Sequence, residues 1–298
     1  MPGFSVRIVA ADSMGVRSLA TFVEACGVPI AVDLGASIAP RRFSLPPHPI
    51  ELERLERALE EARRLLAESL VAIVTHYHYD HYLRWDPELY YGRMLLVKDI
   101  RRDINRSQAI RGYRFLVKGG VRDRASVEFA DSRSFEVESG VRIDFSPPVW
   151  HGEPGTKLGK VLMTRISCEE GIVVFASDVQ GPGSREALSY LEEWSQPRPD
   201  LLVISGPPTY LGGYRVRSGS IDEGLRNLEA LVARVKPRVL VADHHLVRDP
   251  SYTRVIEKLR SVGSPLGVSV VTAAEFMGLP VEPLESMRRE LWREAGEG

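Results

Sequence analysis

Leu70-Val71-Ala72-Ile73-Val74 is an unbroken apolar run bounded by polar residues, the pattern of a strand buried on both faces. Upstream, Leu52, Leu55, Leu59, Ala62 and Leu66 recur at three- and four-residue intervals among charged positions. That spacing predicts an amphipathic helix over Glu51–Ser69, which delivers the chain to the apolar strand. Earlier still, Ser5–Ala10 and Pro29–Leu34 read as strands and Ser18–Cys26 as helix-like, while Pro40, Pro46, Pro47 and Pro49 mark a loop. The second half is patterned differently. Val141–Phe145, Lys160–Ser167 and Gly171–Ala176 read as successive strands, the last two joined through a turn at Cys168-Glu169-Glu170-Gly171. Strands and helices then alternate: strand Asp200–Ser205, helix Ile221–Val235, strand Arg238–Ala242, helix Ser251–Val262 and strand Val268–Val271. A closing helix is predicted over Leu284–Ala295, with Met287 and Leu291 on one side. Locally paired strands followed by strands alternating with helices predict an α/β (α+β) protein of two mixed sheets covered by outer helices.

Composition adjusts this picture only at its edges. The 298 residues, 44% of them hydrophobic, carry no repeat, low-complexity segment or linker, and read as a single domain over 1–298 with halves of roughly 1–165 and 166–298. A formal net charge of −1 gives no global attraction to nucleic acid or membrane. Met1–Ala11 lacks a charged segment followed by a long apolar core, and no run approaches membrane-spanning length, so a soluble, cytoplasmic protein is expected. Cys26 and Cys168 are isolated and form no CxxC; they are expected as small buried hydrophobes rather than a disulfide or a thiolate metal site. His48, inside the proline-rich loop, reads as a surface residue.

The candidate chemistry begins where the apolar strand ends. Thr75-His76-Tyr77-His78-Tyr79-Asp80-His81 places three histidines and an aspartate within six residues. Imidazole and carboxylate hold Zn(II), Mn(II) or Fe(II), and alternating positions at a strand end can aim His76 and His78 at one ion. Asp80 and His81 then point elsewhere, which makes a second metal about 3.5–4 Å away the economical reading. Four further segments follow strand-like runs: Ile30-Ala31-Val32-Asp33-Leu34-Gly35, Trp150-His151-Gly152-Glu153-Pro154-Gly155, Gly171 to Asp178, and Arg238 to His245. In this order and with the HxHxDH motif, they resemble the five motifs of the metallo-beta-lactamase superfamily, and more narrowly an archaeal group of predicted metal-dependent hydrolases within it. The resemblance spans Asp33 to His245.

That resemblance implies a four-layer αββα sandwich and a site with assigned roles. His76, His78 and His151 look like ligands of a first metal; Asp80, His81 and a late histidine look like ligands of a second, with Asp178 bridging. Related nucleases carry a basic residue shortly after the late ligand. Arg248, four residues beyond His244, therefore favours His244. His245 is left open as the alternative ligand, a hydrogen-bonding neighbour or a general acid. Asp33 is expected to accept a proton from a ligating imidazole. Two divalent ions are implied, zinc foremost with manganese or iron as alternatives, and the nucleophile would be a metal-bridged hydroxide, with Asp80 and His245 as the catalytic side chains. No GxSxG elbow offers a serine nucleophile.

Substrate signals are local. Between Lys98 and Arg124, nine basic residues face three acidic ones, an excess of six charges between His81 and His151. Arginine pairs bidentately with phosphate, so Arg111 and Arg114 are candidate substrate residues, and Tyr113 and Phe115 could stack on a base. Equally, this is the pattern of a solvated helical face. Tyr210 or Tyr214, in the loop after Asp200–Ser205, could donate to a developing oxyanion or belong to a rigid turn, and Asp12-Ser13-Met14-Gly15 has the same ambiguity. Three activities remain in view: hydrolysis of a phosphodiester or other phosphorylated partner, small molecule or nucleic acid such as RNA; hydrolysis of a small ester, thioester or lactone; and iron-dependent redox chemistry. No membrane partner is expected, and an oligomer is left open.

Overall fold

The structure, a computed structural model, describes residues 4–296. Of the N-terminal stretch read for a leader, residues 1–3 fall outside it. Strands β1 (Phe4–Ala11), β2 (Leu19–Ala25), β3 (Val28–Val32), β4 (Val71–Val74), β5 (Met94–Val97) and β6 (Ser126–Phe129) lie side by side in chain order. The first three pair antiparallel and β3 to β6 pair parallel. Helices α1 (Pro49–Glu68), α2 (Arg106–Tyr113) and α3 (Val121–Arg124) are interspersed among the parallel strands.

The chain crosses to a second sheet between Phe129 and Ser134, whereas the sequence placed the division of the halves near residue 165. Here β7 (Ser134–Glu136), β8 (Arg142–Phe145), β11 (Thr164–Cys168) and β12 (Gly171–Phe175) pair antiparallel in turn. Beyond β12, strands β13 (Leu201–Ile204), β14 (Val239–Ala242) and β15 (Ser269–Val271) pair parallel. A two-stranded ribbon of β9 (Val149–Trp150) and β10 (Lys160–Val161) stands apart, so the strand expected over Lys160–Ser167 is two strands. Helices α4 (Arg185–Glu193), α5 (Ser218–Arg234), α6 (Tyr252–Gly263), α7 (Ala273–Phe276) and α8 (Arg288–Glu294) complete the chain.

Three apolar clusters separate four layers. One, with Ile8, Ile30 and Ile73 from the first sheet and Ile143, Phe175 and Val203 from the second, lies between the sheets. A second joins the outer face of the first sheet, through Ala72 and Val74, to Ala62, Leu65 and Leu66 of α1. The third joins Val174, Leu202 and Leu240 to Leu188, Leu228 and Leu259 of α4, α5 and α6. Successive residues of β4 and β12 thus enter different clusters, which is why both read as continuous apolar runs. The fold is the αββα metallo-beta-lactamase sandwich.

Four expectations are corrected. Ser18–Cys26 is largely the strand β2, not helix. It sits between β1 and β3 with six of its seven residues buried, so both faces are apolar and no period-2 pattern survives. Cys26 and Cys168 form a disulfide, with a Cα–Cα distance of 6.4 Å across 142 residues of sequence, at the tips of the β2–β3 and β11–β12 hairpins. His48 caps α1: its ring accepts from the Ile50 amide while Glu51 accepts from the His48 amide, and Trp292 packs edge-on against it. The closing helix buries Arg288, not Met287, and Arg288 forms a fully buried ion pair with Glu51 at 2.7 Å.

No helix among the described residues is long and apolar enough to cross a membrane.

Candidate metal centre

The side chains that converge here leave strand ends on one edge of the sandwich. Asp12 follows β1, Asp33 follows β3, Thr75 and His76 follow β4, Asp178 comes three residues after β12, and Asp243 and His244 follow β14. His151 follows β9 on the ribbon. Parallel strands collect their carboxyl ends along one edge, which is where open α/β sheets build sites. Backbone packing sets the ligand loop: a Cβ on Gly35 would fall 2.3 Å from the Tyr82 amide nitrogen and 2.8 Å from the His81 carbonyl carbon. Only a glycine lets the Asp33 turn lie against His81–Tyr82.

Asp178 is the hub. Its Oδ2 lies 3.8 Å from His76 Nε2, 3.3 Å from His81 Nε2, 3.0 Å from His151 Nε2, 3.5 Å from His244 Nε2 and 3.2 Å from His245 Nε2. Two donor sets able to hold an ion emerge from the geometry. One is His76, His78, His151 and Asp178; the other is Asp80, His81 and His244, in which His244 Nε2 is 3.6 Å from Asp80 Oδ2. A third grouping of Asp178, His244 and His245 and a fourth of Asp33, His76 and His81 meet the same spacing.

Hydrogen bonds on the far side of each ring separate these possibilities. His81 Nδ1 meets Asp33 Oδ2 at 2.9 Å, and His244 Nδ1 meets Asp12 Oδ2 at 2.6 Å. A carboxylate accepts only, so each Nδ1 carries the proton and each Nε2 offers a lone pair to the centre. Thr75 Oγ1 gives its own proton to Asp33 Oδ2, 2.5 Å away, and is left to accept from His76 Nδ1 at 3.1 Å, with the same result for His76. Gln180 places its amide nitrogen 3.3 Å from His151 Nδ1, and only the flipped amide, with its oxygen there, would serve the same purpose. His245 is the opposite case. Arg248 Nη1 donates to His245 Nδ1 at 3.1 Å, so the neutral ring carries its proton on Nε2, aimed at Asp178. Arg248 Nη2 also lies 3.0 Å from His244 Nδ1, so one guanidinium serves both rings, and it is the Asp12 contact that leaves His244 Nε2 free as a ligand would need.

The electrostatics divide the rings differently: burial lowers His76, His78 and His245, whereas carboxylate neighbours raise His81 and His244. Burial, with repulsion from His151, takes His78 down to about 3, and burial with His81 and His78 holds His76 well below the usual imidazole range. Burial also presses on His244, but Asp178 and Asp12 outweigh it and raise the ring to about 9; Asp178 and Asp33 likewise raise His81. Burial alone would raise Asp178, yet His244, His81 and His151 hold its carboxyl well below the carboxylate range. His76 Nε2, His81 Nε2 and Asp178 Oδ1 are fully buried and make no hydrogen bond. Buried polar atoms are rarely left unpaired, and three converging orphans are what a cation site requires. The donor set fits divalent metal.

The proposed substrate residues are distributed unevenly. Arg111 Nη1 reaches the Tyr77 carbonyl, 3.4 Å away in the ligand loop, and shares a cavity lining with Arg114. Tyr210 sits on a short 3₁₀ turn with Arg42 4.4 Å over its ring, and no contact places it among the donors. Tyr214 is exposed and partnered only by Arg215, so its proposed reach into the site is withdrawn. Tyr113 is exposed, and Phe115 is buried against Tyr82 and Tyr90, which rules it out as a stacking platform. Lys98, counted in the basic segment, is wholly buried on Asp131 at 2.5 Å and offers no charge to a ligand. Sequence reading left Asp12 ambiguous and gave Thr75, Gln180, Arg84 and Trp85 no role. Their contacts are all tertiary, and no spacing announces them.

No family model matches the chain. Among solved structures, CmlA, a diiron β-hydroxylase from Streptomyces venezuelae, is similar at a TM-score of 0.52 and 14% identity over 91% of this chain. The chain spans about half of CmlA's length (53%), and at that identity the likeness is one of fold alone. The metallo-beta-lactamase SMB-1 aligns over 98% of this chain and 94% of its own, with 14% identity and a TM-score of 0.37. Sequence similarity is far stronger with a UPF0282 protein from Aeropyrum pernix, 68% identical over 97% of this chain and 98% of that protein. At that identity and coverage, the chain belongs to the UPF0282 family.

Proposed function

We propose that the protein is a binuclear metal-dependent hydrolase of phosphodiesters or other phosphorylated substrates. The observation that carries the reading is the convergence of His76, His81 and Asp178 with buried, unpaired donor atoms turned to one centre. His76, His78 and His151 would hold one ion and Asp80, His81 and His244 a second, with Asp178 shared. Bound there, paired divalent ions bring the pKa of a water toward neutrality and offset charge on an ester oxygen. Zinc suits a centre this rich in imidazole.

The chain's own groups supply the proton traffic. Asp80 is partly exposed and makes no hydrogen bond among the described residues; it orients the attacking water and accepts its proton. His245, with Arg248 on Nδ1, would donate an Nε2–H hydrogen bond to the leaving oxygen without losing its proton, and the proton taken up by Asp80 would pass through solvent to that oxygen. Asp33, Asp12 and Thr75 hold the rings in the tautomer that leaves Nε2 free. Arg111 and Arg114, beside the ligand loop, favour an anionic ester over a neutral acyl substrate.

Metal content per chain, measured with turnover of bis-p-nitrophenyl phosphate before and after chelation and reconstitution, tests this reading. Two equivalents of zinc or manganese with metal-dependent turnover are expected. A single equivalent of iron without turnover would sink it and point to redox chemistry, and turnover confined to neutral acyl esters would replace the phosphoester assignment.

A further inference from the structure

Tyr79 stands between His78 and Asp80 in the ligand loop, and two guanidinium groups lie over its ring. The Arg84 carbon is 3.9 Å and the Arg111 carbon 4.4 Å from the ring centroid. Arg84 also lies 4.7 Å over Trp85, which is 77% exposed. With Arg114 and Phe115 these residues line a cavity of about 150 Å³. No acidic side chain lines it, and Asp86, the nearest acid along the chain, is already engaged by Arg63 at 3.0 Å. Three positive charges gathered without an acidic neighbour in the lining favour an anion there, although Arg84 and Arg114 are solvated. Stacking takes up only the face of a guanidinium; the N–H donors in its plane stay free for the oxygens of a phosphate.

We infer that this cavity is a substrate subsite for a phosphate-plus-base unit, in which Arg84, Arg111 and Arg114 hold a phosphate other than the one cleaved and Trp85 stacks on the base. As a substrate subsite it rests on the hydrolase reading. On that reading the metal donors would face the scissile group, whereas Arg84 and Arg111 lie over Tyr79 in the ligand loop. A cavity of this volume takes a single ring or a phosphate, and the exposed indole continues it outward as a flat platform. The unit belongs either to a free nucleotide or to the end of an oligonucleotide.

Binding to the full-length, chelated protein reads the subsite without turnover. The probes are adenosine monophosphate, adenosine, inorganic phosphate and an adenosine tetranucleotide, followed by calorimetry and tryptophan fluorescence. Adenosine monophosphate is expected to bind and quench fluorescence, with adenosine and phosphate each weaker by on the order of tenfold. Arg84→Ala and Arg111→Ala should each weaken it by on the order of tenfold, Trp85→Ala should remove the quench, and Trp85→Phe should keep the affinity. An unchanged melting midpoint in each variant excludes misfolding. Tighter binding of the tetranucleotide assigns the unit to a chain end, and tighter binding of the monophosphate assigns it to a free nucleotide. No binding of the monophosphate, or affinity unaltered in the Arg84→Ala/Arg111→Ala double variant, overturns the inference. If the monophosphate binds through these residues but the metal-loaded protein cleaves no phosphodiester, the hydrolase reading falls and the subsite stands. If bis-p-nitrophenyl phosphate is cleaved but the monophosphate does not bind, the reverse holds.

Discussion

At the scale of single residues, the site depends on groups that would never touch a metal. Asp12 is buried under His244 and also takes Arg248 at 2.6 Å, which holds its carboxyl below the usual range although burial works against this. It does for His244 what Asp33 does for His81, so Asp12→Ala should leave the His76–His78–His151 ion in place. Affinity for the second ion should fall by about 10–100-fold. Competition with a chromophoric chelator measures both affinities, and equal affinities in wild type and variant would remove Asp12 from this role. The candidate ligands were legible in sequence because each follows an apolar strand closely, and the resemblance of the motif order supplied their grouping. Asp12 was not, because a short turn after an edge strand looks the same whether its carboxylate faces solvent or an imidazole from 232 residues away.

At the scale of elements, periodicity succeeded where one face is wet and failed where neither is. The helix expected over Glu51–Ser69 is α1, Pro49–Glu68, its charged face in solvent. β2 lost its alternation because it is covered on both sides, and β5 and β6, which flank the basic segment, were passed over. The Cys26–Cys168 bridge also belongs to this scale, since it staples a hairpin of the first sheet to a hairpin of the second. Closing a loop that long restricts the unfolded chain strongly, so a Cys26→Ser/Cys168→Ser variant should lose about 2–5 kcal/mol of stability. Guanidinium denaturation with and without reductant checks it: reduced wild type should match the double variant, and an unmoved midpoint would show that the bridge contributes nothing.

At the scale of the whole molecule, the candidate metal donors run from His76 to His244 in the sequence, across both sheets and the ribbon. A ligand that binds only the assembled centre stabilises the entire fold, by about 4 kcal/mol when present at a thousandfold over its dissociation constant. Chelation should therefore lower the melting midpoint in calorimetry and added zinc should restore it; a midpoint indifferent to metal would mean that the donors do not act as one site. The sequence by itself determined the fold class and the placement of the candidate donors after strand-like runs, because these depend on local hydrophobic pattern; their sorting into two sets came from the resemblance of the motifs. Only the tertiary structure decided the disulfide, the burial of Lys98 and Phe115, the contrasting hydrogen bonds of His244 and His245, and the stacking of Arg84 and Arg111 on Tyr79. Each of these is set by which groups meet in space and which way a ring's hydrogen bond runs, and neither leaves a periodic trace along the chain.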